Sequence, residues 1–211
     1  MLKLYYLPGA CSTVPHVALV WSGLPFTAEA VSRDWIKSSE YLALNPQGQV
    51  PVLVEDGWAL AQNVAILDYI NDLAPDAQIF GSADTHAKAQ SRQWLAFANS
   101  DIHPSFGLLF HPQSASDDEL VQKDIKSRAA EKIAALFGKV DTRLTAQQEQ
   151  NQGFLAGTNI SIADVYVYVT LRWAHASGID LSRFTQLSAF YQRVGANAGV
   201  QTVLKAQGLQ P

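Results

Sequence analysis

Residues 3–23 read KLYYLPGACSTVPHVALVWSG, a short aromatic run followed by a helical one. Residues 3–7 are apolar enough for a strand, which Pro8-Gly9 ends. Residues 14–22 have helical spacing, and Gly23 stands where a helix favours a left-handed C-terminal cap. Cys11, the single cysteine of the chain, lies between the two runs. The stretch therefore predicts a strand, a tight turn with a thiol, and a helix.

The pattern of periodicity changes along the chain. Strand-like and helical runs alternate in the first third, at residues 26–31, 50–54, 58–60 and 64–73. After a linker at 75–85 only helical periodicity remains, at residues 86–111, 118–147, 161–177 and 186–206. The predicted fold is a small α/β domain, residues 1–80, followed by an all-helical domain, residues 86–211.

Composition excludes several classes of protein. The chain has 211 residues, a formal net charge of −4 and one cysteine, so a disulfide scaffold and a four-cysteine zinc module are excluded. Its few basic residues disfavour nucleic-acid binding. No apolar run approaches the ~18–20 residues of a membrane span, and the N-terminus does not resemble a signal peptide. We therefore expect a cytoplasmic protein without membrane or nucleic-acid partners. The histidines lack metal-ligand spacing, so no metal site is predicted.

Cys11 has two interpretations. Near the N-terminus of a helix, unpaired N–H groups favour an anion, so the pKa of the thiol would fall and a thiolate nucleophile would exist at neutral pH. Alternatively, Cys11 is a small, inert core residue. Cys11-Ser12-Thr13-Val14 lacks the second cysteine of a Cys-x-x-Cys motif. Any redox cycle would therefore need an external thiol.

The dipeptide Val50-Pro51 is a second candidate feature. A proline removes one ladder donor, so it must lie at a strand edge. A cis peptide there would offer the backbone of Val50 to a peptide ligand. From the sequence alone an ordinary trans bond is favoured, because only ~5–6% of X–Pro bonds are cis.

Several segments together resemble the cytosolic glutathione transferases, most closely the bacterial beta class. They are Tyr5-Tyr6-x-Pro8-Gly9-Ala10-Cys11-Ser12, residues 45–53 (NPQGQVPVL), residues 64–70 (VAILDYI), Trp94-Leu95 leading to His103, Ser161-Ile162-Ala163-Asp164, and residues 171–174 (LRWA). Each segment is weak evidence alone, but their order and spacing across nearly the whole chain are specific.

This resemblance implies a thioredoxin-like N-terminal domain, a helical C-terminal domain, and a homodimer with a cleft between the domains. Glutathione would bind the first domain as co-substrate, with no further cofactor, and a hydrophobic electrophile would lie against the second. Cys11 matches the cysteine that the beta class has at the glutathione sulfur. Detoxification is the implied role.

Further site residues follow from the resemblance. Val50, before a cis Pro51, matches the backbone contact to glutathione, and Gln62 with Asn63 matches the pair that holds its γ-glutamyl end. His103 matches a histidine that points into the cleft. Ser100 is a polar candidate for glutathione. Candidates for the electrophile wall are Phe106, Phe110 and Trp173, although aromatic residues at helical spacing are commonly core.

Three positions depart from the beta-class pattern. Gln62 replaces the usual acid, so it can accept a hydrogen bond but cannot form an ion pair with the ligand's amino group. Ala96 replaces an asparagine that reaches across the dimer, and Pro104 replaces a lysine. Pro104 should also distort its helix between residues 100 and 104. Ser161 and Asp164 predict a capping box that starts a core helix.

Three functions remain open from the sequence. The first is conjugation of glutathione to hydrophobic electrophiles. The second is glutathione-dependent disulfide reduction through a mixed disulfide of Cys11. The third is a non-enzymatic, ligand-binding member of the fold, which the departures at Gln62, Ala96 and Pro104 keep open.

Overall fold

The structure, a computed structural model, describes residues 1–210. Four strands lie in the first third of the chain, and the elements that follow Thr85 are helical. The strands are Leu2–Tyr6 (β1), Phe26–Ala30 (β2), Val52–Glu55 (β3) and Trp58–Ala61 (β4). The α-helices are Thr13–Ser22 (α1), Ser39–Leu44 (α2), Asn63–Leu73 (α3), Thr85–Phe97 (α4), His103–Phe110 (α5), Glu119–Glu149 (α6), Ile162–Ala176 (α7), Thr185–Gly195 (α8) and Ala198–Ala206 (α9).

The four strands form one mixed sheet in the order β2-β1-β3-β4. β1 runs parallel to β2, while β3 is antiparallel to both β1 and β4. The parallel pair is joined through α1, and the β3–β4 hairpin turns at Asp56-Gly57, where both residues have positive φ. This arrangement confirms the predicted class, a thioredoxin-like domain followed by a helical domain.

Side chains along β1 point alternately to the two faces of the sheet, and each face packs in a different cluster. Leu2 and Leu4 join the main core together with residues of α1 and α3. Tyr5 points the other way and packs in a smaller cluster with Tyr41 of α2 and Val52 of β3. The face of Leu2 and Leu4 is therefore fully covered by helices, whereas the face of Lys3 and Tyr5 is only partly covered.

Helix α7 is the centre of the second domain, since eleven of its fifteen residues are buried. Its start is fixed by the predicted capping box, which is confirmed. The fully buried carboxylate of Asp164 accepts hydrogen bonds from the backbone N–H of Ser161 at 2.8 Å and of Leu155 at 2.9 Å. These bonds tie the preceding loop to the first turn of the helix.

Three local features differ from or refine the sequence prediction. Helix α2 was not predicted, because six residues are too few for a clear helical period. The predicted helix at 186–206 is two helices, since the side chain of Asn197 accepts from the N–H groups of Gly199 and Val200 and caps α9. The distortion expected near Pro104 is a π-helical turn, Ala98–Ile102.

In residues 1–210, no helix has both the length and the apolar character that crossing a bilayer requires.

The capping box should make a measurable contribution to stability. Replacing Asp164 with Ala leaves the buried N–H groups of Ser161 and Leu155 without acceptors, so we expect a loss of about 3 kcal/mol in the free energy of unfolding. Urea denaturation followed by circular dichroism measures the loss. Asp180→Ala, which removes an exposed acceptor for the N–H of Ser182, is the control and should cost less than ~1 kcal/mol. Equal losses in the two variants would contradict the role of Asp164.

Candidate active site

The turn that carries Cys11 is held by bonds within the first domain. Ser12 is fully buried, and its hydroxyl accepts from the N–H of Leu7 at 3.1 Å and donates to the carbonyl of Leu7 at 3.2 Å. Gly9 has a φ of 72°, a left-handed conformation that glycine adopts without strain. These features bend the chain sharply between β1 and α1, so that Cys11 lies just before the helix.

The second domain also holds this turn, through Gly9. The Gly9 N–H donates to Oε1 of Gln207 at 2.9 Å, and Nε1 of Trp173 donates to the Gly9 carbonyl at 2.7 Å. The same Gln207 oxygen accepts from the hydroxyl of Thr13 at 3.0 Å. Both backbone groups of Gly9 are thus bonded by side chains more than 160 residues away in the sequence. The position of Cys11 depends on contact between the two domains.

The thiol of Cys11 is almost fully buried. It donates to the carbonyl of Val50 with an Sγ–O distance of 3.5 Å. Burial raises the pKa of Cys11 to about 11, although the Asn63 side chain and the backbone N–H groups of Cys11 and Ser12 act in the opposite direction. Of the two interpretations of Cys11, this environment favours a neutral thiol at pH 7 over a thiolate. Burial destabilises the thiolate by more than the helix N-terminus stabilises it.

A polar network lies at the base of the cleft around the hydroxyl of Tyr166, a fully buried residue of α7. This hydroxyl donates to Oδ1 of Asn99 at 3.0 Å, accepts from Nδ2 of Asn63 at 3.2 Å, and lies 2.8 Å from Nδ1 of His103. Because the single hydroxyl proton goes to Asn99, the bond to His103 must be donated by its Nδ1–H. The network thus leaves Nε2 of His103 as an acceptor.

The groups in this network are uncharged. Burial lowers the pKa of His103 and raises that of Tyr166 well above its usual range, so the imidazole and the phenol are both neutral at pH 7. Neither Tyr166 nor Asn99 was recognised from the sequence. The one available signal was the hydroxyl of Tyr166 within a strongly apolar helix, since a buried tyrosine normally needs a hydrogen-bond partner.

Two cavities meet at Cys11. The first, of about 210 Å³, is lined mainly by polar groups: Cys11, Asn45, Gln47, Gln49, Val50, Pro51, Gln62, Asn63, Asn99, His103, Pro104 and Tyr166. The second, of about 370 Å³, is more apolar: Leu7, Cys11, Arg33, Ile36, Gly48, Gln49, Val50, His103, Pro104, Phe106, Gly107, Phe110 and His111 line it. The thiol and His103 belong to both, so one cleft has a polar and an apolar half.

Most of the predicted site residues come together in this cleft. Val50, Pro51, Gln62, Asn63 and His103 line the polar half with Cys11, and the Val50-Pro51 peptide is cis, as the resemblance implied. In the apolar half, Phe106 and Phe110 form part of the wall with ring centroids 5.5 Å apart.

Two predicted residues lie elsewhere. The indole of Trp173 supports the wall without lining it, because it packs edge-on against His103 and Phe106 while its N–H bonds Gly9. Ser100 is exposed and lines a separate surface cavity with Trp94, Phe97 and other residues. Within one chain, Asn99 and not Ser100 contributes the polar group from this segment to the cleft.

Gln62 and Asn63 differ in how accessible they are. Gln62 is exposed, has a φ of 75°, and donates from Nε2 to Oε1 of Gln47 at 2.9 Å. Asn63 is only 4% exposed, and its Oδ1 is buried without a hydrogen-bond partner among residues 1–210. Gln62 can therefore reorient toward a ligand, whereas Nδ2 of Asn63 already donates to the hydroxyl of Tyr166. In the same residues, no three His, Cys, Asp or Glu side chains cluster as a metal site.

Comparison with known proteins agrees with this geometry. The model of the glutathione S-transferase N-terminal domain matches residues 9–73, and that of the C-terminal domain matches residues 102–197. Glutathione S-transferase GST-4.5 of Xanthomonas campestris pv. campestris is 45% identical over 99% of this chain and 100% of its own.

Solved structures give the same result. A glutathione S-transferase from Xylella fastidiosa has 41% identity and a TM-score of 0.92, with full coverage of both chains. A bacterial beta-class glutathione S-transferase from Sphingomonas chungbukensis has 33% identity and a TM-score of 0.83, over 99% of this chain and 100% of its own. The chain belongs to the glutathione S-transferase family. The predicted likeness to the beta class is confirmed, as is the prediction that the protein is an enzyme, a glutathione transferase.

The raised pKa of Cys11 predicts how the thiol responds to pH. Because the reactive thiolate fraction grows about tenfold per pH unit below the pKa, we expect the alkylation rate by iodoacetamide to rise steeply from pH 7 to pH 10 without levelling off. Mass spectrometry follows the reaction cleanly, since Cys11 is the only cysteine. N-acetylcysteine, with an ordinary thiol, is the control and should begin to level off near pH 9. A plateau for the protein at or below pH 8 would show that Cys11 is a thiolate after all.

Proposed function

We propose that the enzyme conjugates glutathione to hydrophobic electrophiles, with the glutathione sulfur next to Cys11. The observation that carries this proposal is the meeting of the polar and apolar cavities at Cys11 and His103. A peptide with a thiol at its centre fits the polar half, and an apolar electrophile fits the half lined by Phe106 and Phe110. The reacting sulfur and carbon would then meet where the two cavities join.

Glutathione would be bound largely by residues 1–80, and the electrophile by helices of residues 86–211. The backbone of Val50, which lies just before β3, would pair with the cysteinyl part of the peptide, and its carbonyl would then accept from the peptide in place of the Cys11 thiol. The γ-glutamyl end would lie at the start of α3, where unpaired N–H groups attract a carboxylate. Gln62 would turn from Gln47 to accept from the ligand's amino group.

Cys11 would act in this site as a hydrogen-bond donor. Because its pKa is raised to about 11, its S–H can donate to the glutathione thiolate instead of competing as a second anion. The acceptor Nε2 of His103 would take the proton of the glutathione thiol. The sulfur then forms a bond to the electrophilic carbon as the leaving group departs with the bonding electrons.

The alternatives make different demands on Cys11. Disulfide reduction needs its thiolate to attack a disulfide sulfur, which the raised pKa disfavours. It remains a second candidate, because Cys11 is the one thiol of the chain and lines the cleft. A non-enzymatic binding role would leave both activities absent while glutathione is still bound.

The implied homodimer is part of the proposal. Ser100 could contact glutathione only across such an interface, since in one chain it faces the surface with Trp94 and Phe97. A second copy covering this surface would also bury the two aromatic side chains. Removal of electrophiles by conjugation would be the detoxifying activity.

Substitution of Cys11 separates donation from nucleophilic attack. For Cys11→Ala we expect kcat/KM for conjugation of an aryl halide to fall about tenfold, because one hydrogen bond to the sulfur is lost. Cys11→Ser keeps an O–H donor and should stay within about threefold of wild type. Both variants should fold normally and lose any reduction of a mixed disulfide between glutathione and a small thiol. Retained reductase activity would refute a nucleophilic Cys11, and equal losses of conjugation in both variants would refute its role as donor.

A charge at position 62 should strengthen glutathione binding. In Gln62→Glu the carboxylate can form a charge-assisted bond with the ligand's amino group, worth about 1 kcal/mol more than the neutral one, so Kd should fall about fivefold. Isothermal titration calorimetry measures this Kd. Gln201→Glu adds the same charge on the exposed side of α9 and should leave the Kd unchanged. An unchanged or higher Kd in Gln62→Glu would show that Gln62 does not face the amino group.

A further inference from the structure

The apolar half of the cleft contains one charged feature that hydrophobic substrates do not explain. Among the side chains that line it, Arg33 is the only one with a permanent positive charge, and none is acidic. Phe106 and Phe110 come from α5 in the second domain, whereas Arg33 and Ile36 come from the segment between β2 and α2 in the first. The cavity is thus bounded by aromatic rings from one domain and by a guanidinium group from the other.

Arg33 forms no ion pair within the fold of residues 1–210. Residues 1–80 contain only three basic residues among eight acidic ones. Lys3 forms an ion pair with Glu29 at 2.6 Å, but Arg33 forms none with any residue between 1 and 210. Its side chain is exposed at the cavity. A guanidinium group that lines a cavity without a carboxylate partner has its full donor capacity available to a ligand.

We propose that the apolar half of the cleft selects electrophiles that carry a carboxylate on an aromatic body, and that Arg33 binds this carboxylate. The inference rests on the proposed function, which places the electrophile in this half. The ring would pack against Phe106 and Phe110, and the carboxylate would take two parallel N–H bonds from the guanidinium group. Arg33 then determines specificity and takes no part in the chemical step.

The test compares two electrophiles that differ in charge, 4-chloro-3-nitrobenzoate and its methyl ester. Their intrinsic reactivities differ, so the measured quantity is the ratio of kcat/KM for the acid to that for the ester, in wild type and in each variant. We expect Arg33→Gln to lower this ratio about tenfold, with the ester changed less than twofold and the KM for glutathione unchanged. Arg33→Lys keeps the positive charge but loses the pair of parallel N–H donors, so its ratio should lie between those of wild type and Arg33→Gln.

Lys37→Gln is the matched control. It removes the same charge four residues further along, at an exposed position that lines neither half of the cleft, so the ratio should stay at the wild-type value. An equal fall in this control would mean that general electrostatic attraction, and not a site at Arg33, favours the acid.

Two other outcomes would overturn the proposal. Equal losses for acid and ester with a raised KM for glutathione would assign Arg33 to a carboxylate of glutathione itself. An unchanged ratio in Arg33→Gln would show that Arg33 does not recognise the electrophile.

A binding measurement separates failure of this inference from failure of the proposed function. If wild type conjugates neither compound, the proposed conjugation fails for these electrophiles, and the products can still be titrated. S-(4-carboxy-2-nitrophenyl)glutathione should bind more tightly than its methyl ester, and Arg33→Gln should remove the difference. Equal affinities of the two products for wild type would overturn the role of Arg33 whether or not the protein is active.

Discussion

The backbone of Gly9 is the point on which the arrangement of this cleft depends. Its N–H and carbonyl groups are bonded by Gln207 and Trp173, so the turn before Cys11 is fixed by the C-terminal half of the chain. Trp173 also packs against His103. The hydroxyl group that bonds to His103 belongs to Tyr166, which lies on α7 two turns before Trp173. One helix, α7, therefore positions both the thiol turn and the imidazole. The relative placement of the two functional groups follows from a single rigid element.

Burial then sets the chemistry of these groups. Cys11, His103 and Tyr166 all lie where a charge is costly, and each is held in its neutral form. A cleft of neutral donors and acceptors can stabilise an anion that forms during reaction, because no resident anion competes with it. Under the proposed function, the thiolate that needs stabilisation is the one on the co-substrate. This electrostatic reasoning favours conjugation over attack by Cys11 itself.

The elements could be predicted from the sequence more completely than the site. Strands and helices followed from local periodicity, and the capping box at Ser161 from a four-residue pattern. The ionisation of Cys11 did not follow, because its position before α1 indicates a helix N-terminus but not how deeply the second domain buries the thiol. Tyr166 was missed for the same reason. Its partners Asn63 and Asn99 are 103 and 67 residues away, and only the tertiary fold brings them together.

Asn99, and not the predicted Ser100, faces the cleft for a local physical reason. In a regular α-helix, residues three and four positions before His103 share its face, so both Ser100 and Asn99 would approach the cleft. Pro104 has no N–H to donate to the carbonyl of Ser100, and the chain forms a π-helical turn in which His103 bonds to Ala98, five residues back. In such a turn, residues four and five positions apart lie on the same face. Asn99 therefore stays on the face of His103, and Ser100 points to the surface. A single proline thus determines which polar side chain reaches Tyr166.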